Sequence, residues 1–540
     1  MAQPCGAQPA FSTTLIASDI RESIMEVELK LLLDPADNDK LSRHPLIAAH
    51  AQGKVKTDQL SAHYFDTPDL HLLHHGAGLR VRRMDGEWIQ TMKAGGSVQS
   101  GLHQRHEWEG PVARPWPQLG KLRKLMADDG AWQTVLDAPD LKDRLDALFS
   151  VQVERSKWDL EVDGNQIELV LDHGTIERHG ARVAVNEIEL ELKDGQPAGL
   201  FQFALQLLDD VPLRLSNSSK AERGYQLCRQ TGTVPAKASA LDLSPDDSVA
   251  QALLAVLGNC LDHIQHNENG VVAGENTESL HQMRVGVRRL RSALKLFESA
   301  APCPQPLLDE IGWLGTELGT ARDWDVLFES TLPRVSGSVG TANGMMELQT
   351  LVLQVVREKR SEAAQAVQAP RYTRLLLSLG VWMQQLAAGI NVEHDDDDAD
   401  MLAQPARSYA QQVVQRLHKK LLRRTDRIAD DDARAVHRLR IAGKRSRYAM
   451  EFFRSLYRNG GTRRYLDTMS GLQDQLGAHN DLVVADRLLL DLQERHPAAS
   501  GAGAAIHFVR GYLQAQRERD VADVPAIRKS VHALRLPRRS

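Results

Sequence analysis

The chain is poor in cysteine and in aromatic side chains: 540 residues hold four cysteines, and Phe, Trp and Tyr together make up 5%. Cys5, Cys228, Cys260 and Cys303 lie far apart, with none of the paired spacings of a disulfide framework or a zinc cluster, which points to a reducing compartment. Few aromatics leave little to stack on bases, which argues against nucleic acid as a partner. No stretch approaches the roughly eighteen apolar residues of a membrane helix, and Met1 to Ser12 lacks the basic-then-apolar pattern of a secretory leader. Together these absences predict a cytoplasmic protein with no membrane partner. Neither charge sign dominates, since 66 Lys and Arg face 71 Asp and Glu for a formal net charge of -5. Any ion site must therefore come from local arrangement.

A hydrophobic fraction of 42% is enough for packed cores, and the length calls for two or three domains. Gly232 to Ala240 is small and turn-rich, which predicts a linker over 230–246. His394 to Asp400 is an acidic run without the ligand spacing of a calcium loop, and reads as a solvated connection. Before the linker the apolar pattern has period two, and beyond residue 245 the period is about 3.6.

The period-two half repeats one device. In Ile24 to Leu33, Glu26, Glu28 and Lys30 share one face of a strand while Val27, Leu29 and Leu31 share the other. Arg80 and Arg82 alternate with Leu79 and Val81, and Thr91 and Lys93 with Gln90 and Met92. Arg105, Glu107 and Glu109 alternate with His106 and Trp108, while Arg155 and Lys157 stand opposite Trp158 and Leu160. Glu187, Glu189 and Glu191 oppose Ile188, Leu190 and Leu192. Strands with apolar backs and charged fronts of mixed sign fit a sheet closed into a barrel with a polar lumen, its apolar core outside. Crowded like charges in a narrow lumen repel and lose hydration, so a guest is expected to neutralise them. Carboxylates suit Mg²⁺ or Mn²⁺, and arginines and lysines suit phosphate oxygens, which makes a short phosphate chain with divalent metal the natural content.

The ordered set Glu26-x-Glu28-x-Lys30, Tyr64-Phe65-Asp66-Thr67, Leu79-Arg80-x-Arg82, Thr91-x-Lys93, Arg105-x-Glu107-x-Glu109, Arg155, Asp172-x-Gly174, Glu187-x-Glu189-x-Glu191 and Ser219-Lys220-x-x-Arg223-Gly224-Tyr225 resembles the CYTH family of triphosphate tunnel metalloenzymes, over about residues 23–229. The resemblance implies an eight-stranded antiparallel β tunnel with flanking helices that binds and hydrolyses a triphosphate with divalent metal. It implies metal ligation by Glu26, Glu28, Glu187, Glu189 and Glu191, and phosphate contacts from Lys30, Arg80, Arg82, Lys93, Arg105, Arg155, Lys220 and Arg223. Glu26, Glu28, Lys30 and Lys93 would carry the catalysis. For Glu107, Glu109, Asp172 and Arg223 a structural salt bridge and a ligand contact both stay open.

The helical half contains an internal repeat. His281, Arg284, Arg288 and Arg291 are matched by His437, Arg440, Lys444 and Arg447, and Leu318-Gly-Thr-Ala-Arg-Asp323 by Leu476-Gly-Ala-His-Asn-Asp481. The duplication predicts two similar helical bundles, over 247–392 and 402–540. Each basic set falls on one helical stripe, with no acid between His281 and Lys295 or between His437 and Tyr448, and such unrelieved charge points to a polyanion.

These two segments and the Leu-Gly-x-x-x-Asp pair resemble the CHAD family over about residues 247–540. That resemblance implies a pair of four-helix bundles whose basic surface, here His281, Arg284, Arg288, Arg291, His437, Arg440, Lys444 and Arg447, binds long-chain polyphosphate, with Asp323 and Asp481 orienting basic side chains. The expected fold class is thus a multidomain α+β chain, tunnel first and helices second. The expected function is an inorganic triphosphatase acting on tripolyphosphate with Mg²⁺ or Mn²⁺, cytoplasmic and associated with polyphosphate granules. The alternatives are a tunnel enzyme for thiamine triphosphate or ATP, and a non-catalytic polyphosphate-binding protein.

Overall fold

The structure is a computed structural model that describes residues 24–84, 86–126, 129–229, 234–274, 276–339, 344–389, 401–427, 433–496, 500–519 and 524–538. The acidic run at 394–400 and the first residues of the expected linker, 230–233, lie outside the described residues.

The period-two half folds into nine strands: β1 (Ile24–Leu33), β2 (Lys56–Asp66), β3 (Ala77–Met84), β4 (Glu87–Gln99), β5 (Leu102–Val112), β6 (Asp146–Val162), β7 (Asn165–Arg178), β8 (Ala181–Asp194) and β9 (Leu213–Leu215). Their order is β5-β4-β3-β2-β6-β7-β8-β1-β9. An added antiparallel pairing of β1 with β5 closes the first eight into a ring. β1 serves both neighbours by splitting its length, Ile24 to Leu29 against β5 and Glu28 to Leu32 against β8. The alternation sets this geometry, because a one-residue slip would turn Glu26, Glu28 and Lys30 into the packed exterior. That exterior is apolar: Leu29, Leu31, Leu79, Val81, Ile188 and Leu190 are all fully buried. The stretch between β5 and β6 covers part of it, setting Leu119, Leu122, Leu136 and Leu141 against Val81, Met92 and Trp108.

The expectation that the apolar core would lie wholly outside the ring is corrected by a second core within it. Tyr64, Phe149, Val151, Val153, Ile176 and Val185 cluster with Tyr225 of α2 (Lys220–Arg229). Tyr64 shares the inward face with Arg80, its register partner, and Val153 shares it with Arg155, two positions along β6. One end of the ring is thus filled with hydrocarbon by a helix. Gly224 makes the seating possible, since a Cβ there would fall 2.1 Å from the Phe149 ring. Asp66 fixes the same helix, accepting from Tyr225 Oη at 3.1 Å and from the backbone N–H groups of Thr67, Leu72 and Leu73 at 2.7–3.0 Å.

Beyond residue 245 the structure is helical, as the change of period requires: α3 (Val249–Gln265), α4 (Thr277–Leu296), α5 (Gln305–Val326), α6 (Met345–Gln368), α7 (Pro370–Ala387), α8 (Ala406–Asp426), α9 (Ala433–Phe452), α10 (Asn459–Arg495), α11 (Ser500–Arg519) and α12 (Val524–Ala533). The helices enclose two apolar cores, each of which draws on both repeats. Trp324 and Leu327 at the end of α5 and Leu348 and Val352 of α6 pack with Leu488 and Leu489 of α10 and Ile506 and Val509 of α11. The larger core joins α3, α4, α7, α8 and α9.

That larger core continues into the ring domain through α1 (Pro197–Leu208). Phe201 of α1 lies against Gly380 of α7, where a Cβ would come within 2.3 Å of the ring, and Asp209 accepts from Arg374 at 2.8 Å. Residues 234–246 form no helix or strand, but they are pinned rather than free. Asn267 Oδ1 accepts from Ala236 N at 3.0 Å, Ser455 Oγ accepts from Leu243 N at 2.9 Å, and Leu243 is buried. No helix among the described residues is long and apolar enough to cross a membrane.

Candidate functional site

The unfilled part of the ring is a cavity of about 980 Å³. Among the residues singled out from the sequence, Glu26, Glu28, Lys30, Arg80, Arg82, Lys93, Arg105, Arg155, Glu189, Glu191 and Lys220 line it. Glu187 and Arg223 stand behind that lining, ion-paired to each other. The ring brings the acids and bases together by register. Glu26 opposes Arg105, Lys93 opposes Glu107, Lys30 opposes Glu189, and Asp172 stands between Arg155 and Glu187.

This register corrects the expectation that only a guest could neutralise the lumen. The charges neutralise one another across strands. Lys30 pairs with Glu28 at 2.8 Å and with Glu189, Lys93 with Glu26, and Arg82 with Glu109 at 2.9 Å. Arg155 grips Asp172 through both Nε and Nη2, at 2.8 and 2.6 Å, and Arg105 reaches Glu222 at 3.1 Å. Cross-strand pairing at short range in a poorly hydrated space offsets the desolvation that like charges alone would suffer. Arg80 is the least satisfied of these cations. Its nearest acid, Glu107, is 3.8 Å away, and its buried Nε finds no partner, as is also true of Arg82 Nε.

Burial and pairing act against each other on the lumen carboxyls. Burial raises Glu28, but Lys30 and Lys93 outweigh it and bring the carboxyl down to about 2, so Glu28 is a carboxylate at every ordinary pH. Burial dominates at Glu26, and neighbouring Glu28 and Glu107 add to it, so that its carboxyl is pushed up to about 7 despite Lys93. Glu189 is buried too, but Lys220, Lys30 and Arg155 hold it well below the usual carboxylate range.

Five carboxylates were expected to hold metal, and the structure distributes them. Glu28 and Glu191 face each other across β1 and β8, with Glu189 one step along the same inward face. Among the described residues, the carboxylates whose oxygens gather within 4.8 Å are Asp172, Glu187 and Glu189. A cation already sits with these three. Lys220 Nζ contacts Asp172 at 2.6 Å, Glu189 at 3.0 Å, and Glu187. An ammonium has three N–H donors, and here each meets a carboxylate. Glu28, Glu189 and Glu191 differ in bordering the cavity, and they too are paired, with Lys30 and Lys193.

Sequence reading missed several lining residues. Glu168 shares the inward face of β7 with Asp172 and binds both Lys157 and Lys193, so period two extended to β7 would have found it. Glu222 also lines the cavity, from the first turn of α2, where period two carries no signal.

In the helical half, α4 packs against α9, so the two basic stripes approach each other. Arg284 pairs with Asp323 at 3.2 Å over Gly319 of α5. Burial, then Arg440, Arg288 and Arg284, lower the Lys444 ammonium to about 8, against the pull of Asp481. Cations from both repeats therefore share one field, with Asp323 and Asp481 among them. The stripes are not equally unrelieved. Arg447 bonds Glu451 at 2.7 Å and Gln473 at 3.1 Å, and Glu451 lies one turn beyond the acid-free segment. Burial and neighbouring Arg322 lower His281, which favours its neutral ring, while Arg291 and His437 are exposed.

The chain is similar to known proteins in both halves. The CYTH domain family matches residues 25–225 and the CHAD domain family residues 255–490. An inorganic triphosphatase of Haemophilus influenzae is 32% identical over 209 residues, which are 38% of this chain and 56% of that protein. The match thus spans little more than half the relative's length. The crystal structure of the CHAD domain from the plant Ricinus communis aligns over its whole length and 57% of this chain, with 51% identity and a TM-score of 0.52. The ring of eight strands with its charged interior and the duplicated helices accord with these matches: residues 25–225 are a CYTH domain and residues 255–490 a CHAD domain.

Proposed function

We propose that the chain hydrolyses inorganic tripolyphosphate to pyrophosphate and phosphate inside the ring with a divalent metal, Mg²⁺ or Mn²⁺, and that its helical half binds long-chain polyphosphate in the cytoplasm, at polyphosphate granules. The observation that carries the first part is the cavity itself, where acids suited to a metal and bases suited to phosphate face one another across a few ångströms. The relative from Haemophilus influenzae, an inorganic triphosphatase, supports the same reading.

In this proposal Glu28, Glu189 and Glu191 hold the metal, with Glu26 and Glu187 beside them. The bound ion polarises phosphoryl oxygens as a Lewis acid. Lys30, Arg80, Arg82, Lys93, Arg105 and Arg155 neutralise and orient the phosphates, which is most of what phosphoryl transfer requires of a protein. Arg80, whose nearest acid is 3.8 Å away, keeps the most donor capacity for phosphate oxygens. Glu26, poised near neutrality, is suited to take a proton from an attacking water. Lys220 at the cavity wall fixes Glu187 and Glu189, and Arg223 behind it fixes Glu187.

In the helical half His281, Arg284, Arg288, Arg291, His437, Arg440, Lys444 and Arg447 would contact the polymer. Tethering a polymer beside the ring raises the local concentration of chain ends. The test is phosphate release by the purified full chain from tripolyphosphate, ATP and thiamine triphosphate, each with Mg²⁺ and with Mn²⁺. Turnover confined to either of the last two would sink the substrate assignment, and no release from any would leave only a binding protein.

A further inference from the structure

Most acids that hold lumen cations are strand residues. Glu107 and Glu109 on β5, Asp172 on β7 and Glu189 on β8 occupy ladder positions, so their place beside Lys93, Arg82, Arg155 and Lys30 follows from register. Glu222 is different. It belongs to α2, outside every ladder, and its side chain is 39% exposed, against 20%, 21%, 0% and 13% for those four. One oxygen, Oε2, accepts from Ser219 N at 2.7 Å, and Ser219 Oγ in turn accepts from Glu222 N at 3.2 Å. This reciprocal pair closes the first turn of the helix. The helix needs only that oxygen. The other, Oε1, lies 3.1 Å from Arg105 Nη2, inside the cavity wall.

Among the described residues Glu222 is the acid that pairs with Arg105, whereas Arg155 has both Asp172 and Glu189. A carboxylate oxygen on a guanidinium presents the same chemistry as a phosphate oxygen. Being the most exposed of these acids, it is also the least costly to send back to water.

We propose that Glu222 is a resident anion that holds Arg105 and is displaced by an incoming phosphate, so that it lowers the affinity of the ring for tripolyphosphate. The proposal rests on the ring being a tripolyphosphate site. Displacement leaves Oε2 on Ser219 N, so the helix stays capped while the charge on Oε1 turns away from Arg105. Glu222 is a positioning residue, since it acts through Arg105 rather than on the reacting atoms.

The test is calorimetric titration of inorganic tripolyphosphate into the metal-stripped full chain, for the unaltered protein and for Glu222→Gln, Arg105→Ala and the double variant. Glutamine keeps an oxygen for the cap and removes the charge. The expected result is affinity raised about two- to fivefold in E222Q, the range of a partly exposed ion pair. That gain should be absent when Arg105 is alanine, as a double-mutant cycle isolates. Glu222→Asp, which keeps an acid in the first turn but draws it back from Arg105, gives the same sign with a smaller gain and serves if E222Q does not fold. Unchanged or weaker binding in E222Q and E222D, with normal binding by the unaltered chain, overturns the inference and leaves the function standing. A gain of equal size in the Arg105→Ala background also overturns it. Absence of binding by the unaltered metal-stripped chain overturns the inference alone, whereas absence of phosphate release from tripolyphosphate with Mg²⁺ and Mn²⁺ overturns the function.

Discussion

Glu28 on β1 and Glu191 on β8 stand directly opposite each other in the ladder, two carboxylates in register where like charges repel. Lys30 at 2.8 Å from Glu28 and Lys193 at 2.5 Å from Glu191 relieve the pair without separating it. Such an arrangement is kept at a cost, and in the proposed function a divalent ion between the two acids would put it to use. Glu28→Gln keeps the shape and removes one charge. The expected outcome is turnover on tripolyphosphate lowered on the order of a hundredfold or more, with weaker Mn²⁺ binding. Thermal unfolding should come earlier with the fold retained, because Lys30 loses a buried carboxylate partner at 2.8 Å. Phosphate-release kinetics and a melting curve on the same sample check both halves, and unchanged turnover would remove Glu28 from the site.

Lys220, at the cavity wall, tests the carboxylates it holds together. Replacing it with Met leaves Asp172, Glu187 and Glu189 buried together without their ammonium. Loss of one partner of a buried ion cluster destabilises by about 3–5 kcal/mol. Because the three carboxylates can gather on one cation, Mn²⁺ should restore more stability to K220M than it adds to the unaltered chain. Melting curves with and without Mn²⁺ decide this, and equal shifts in both proteins would refute it.

The helical half should show a pH dependence of one sign. Lys444 is cationic below about 8 and neutral above it, because burial and three arginines disfavour its charge. Polyphosphate affinity should therefore fall as pH rises from about 7 to 9, because a neutral amine no longer attracts phosphate. Lys444→Arg keeps the charge throughout, and its affinity should be flat over that range. Binding measured across pH for both proteins checks the sign.

Arg284 and Arg447 occupy matching stripes but not matching surroundings. Arg284→Ala with Arg440→Ala should weaken polyphosphate binding and flatten its dependence on salt, by roughly one unit of logarithmic slope for each phosphate no longer neutralised. Arg447→Ala should change both much less, since Glu451 and Gln473 already engage that guanidinium. Titrations over a series of salt concentrations separate the two, and an equal effect of Arg447 would contradict the packing around it.

The ring was legible because a strand writes its two faces into alternate residues. Glu26, Glu28 and Lys30 could be put on one side and Leu29 and Leu31 on the other before any strand was paired. The repeat was equally plain, since His281 and His437 carry the same spacing of basic residues after them. Pairing across strands was not legible. That Lys220 meets Asp172, Glu187 and Glu189, or that Arg105 meets Glu222, depends on which strand lies beside which and how far each is shifted. The apolar interior at one end was hidden for a related reason. Phe149, Val151 and Val153 share the face of Arg155 at period two, but their partner Tyr225 comes from a helix far along the chain, so the sequence does not show that the space against them is filled.

Because that end is stoppered by hydrocarbon, the ring is a chamber with one door. A polymer cannot be threaded through it, so only the terminus of a long chain could be admitted, and cleavage would proceed from ends rather than at interior bonds. In the proposed function products would leave by the way the substrate came, and pyrophosphate would compete with substrate for that opening.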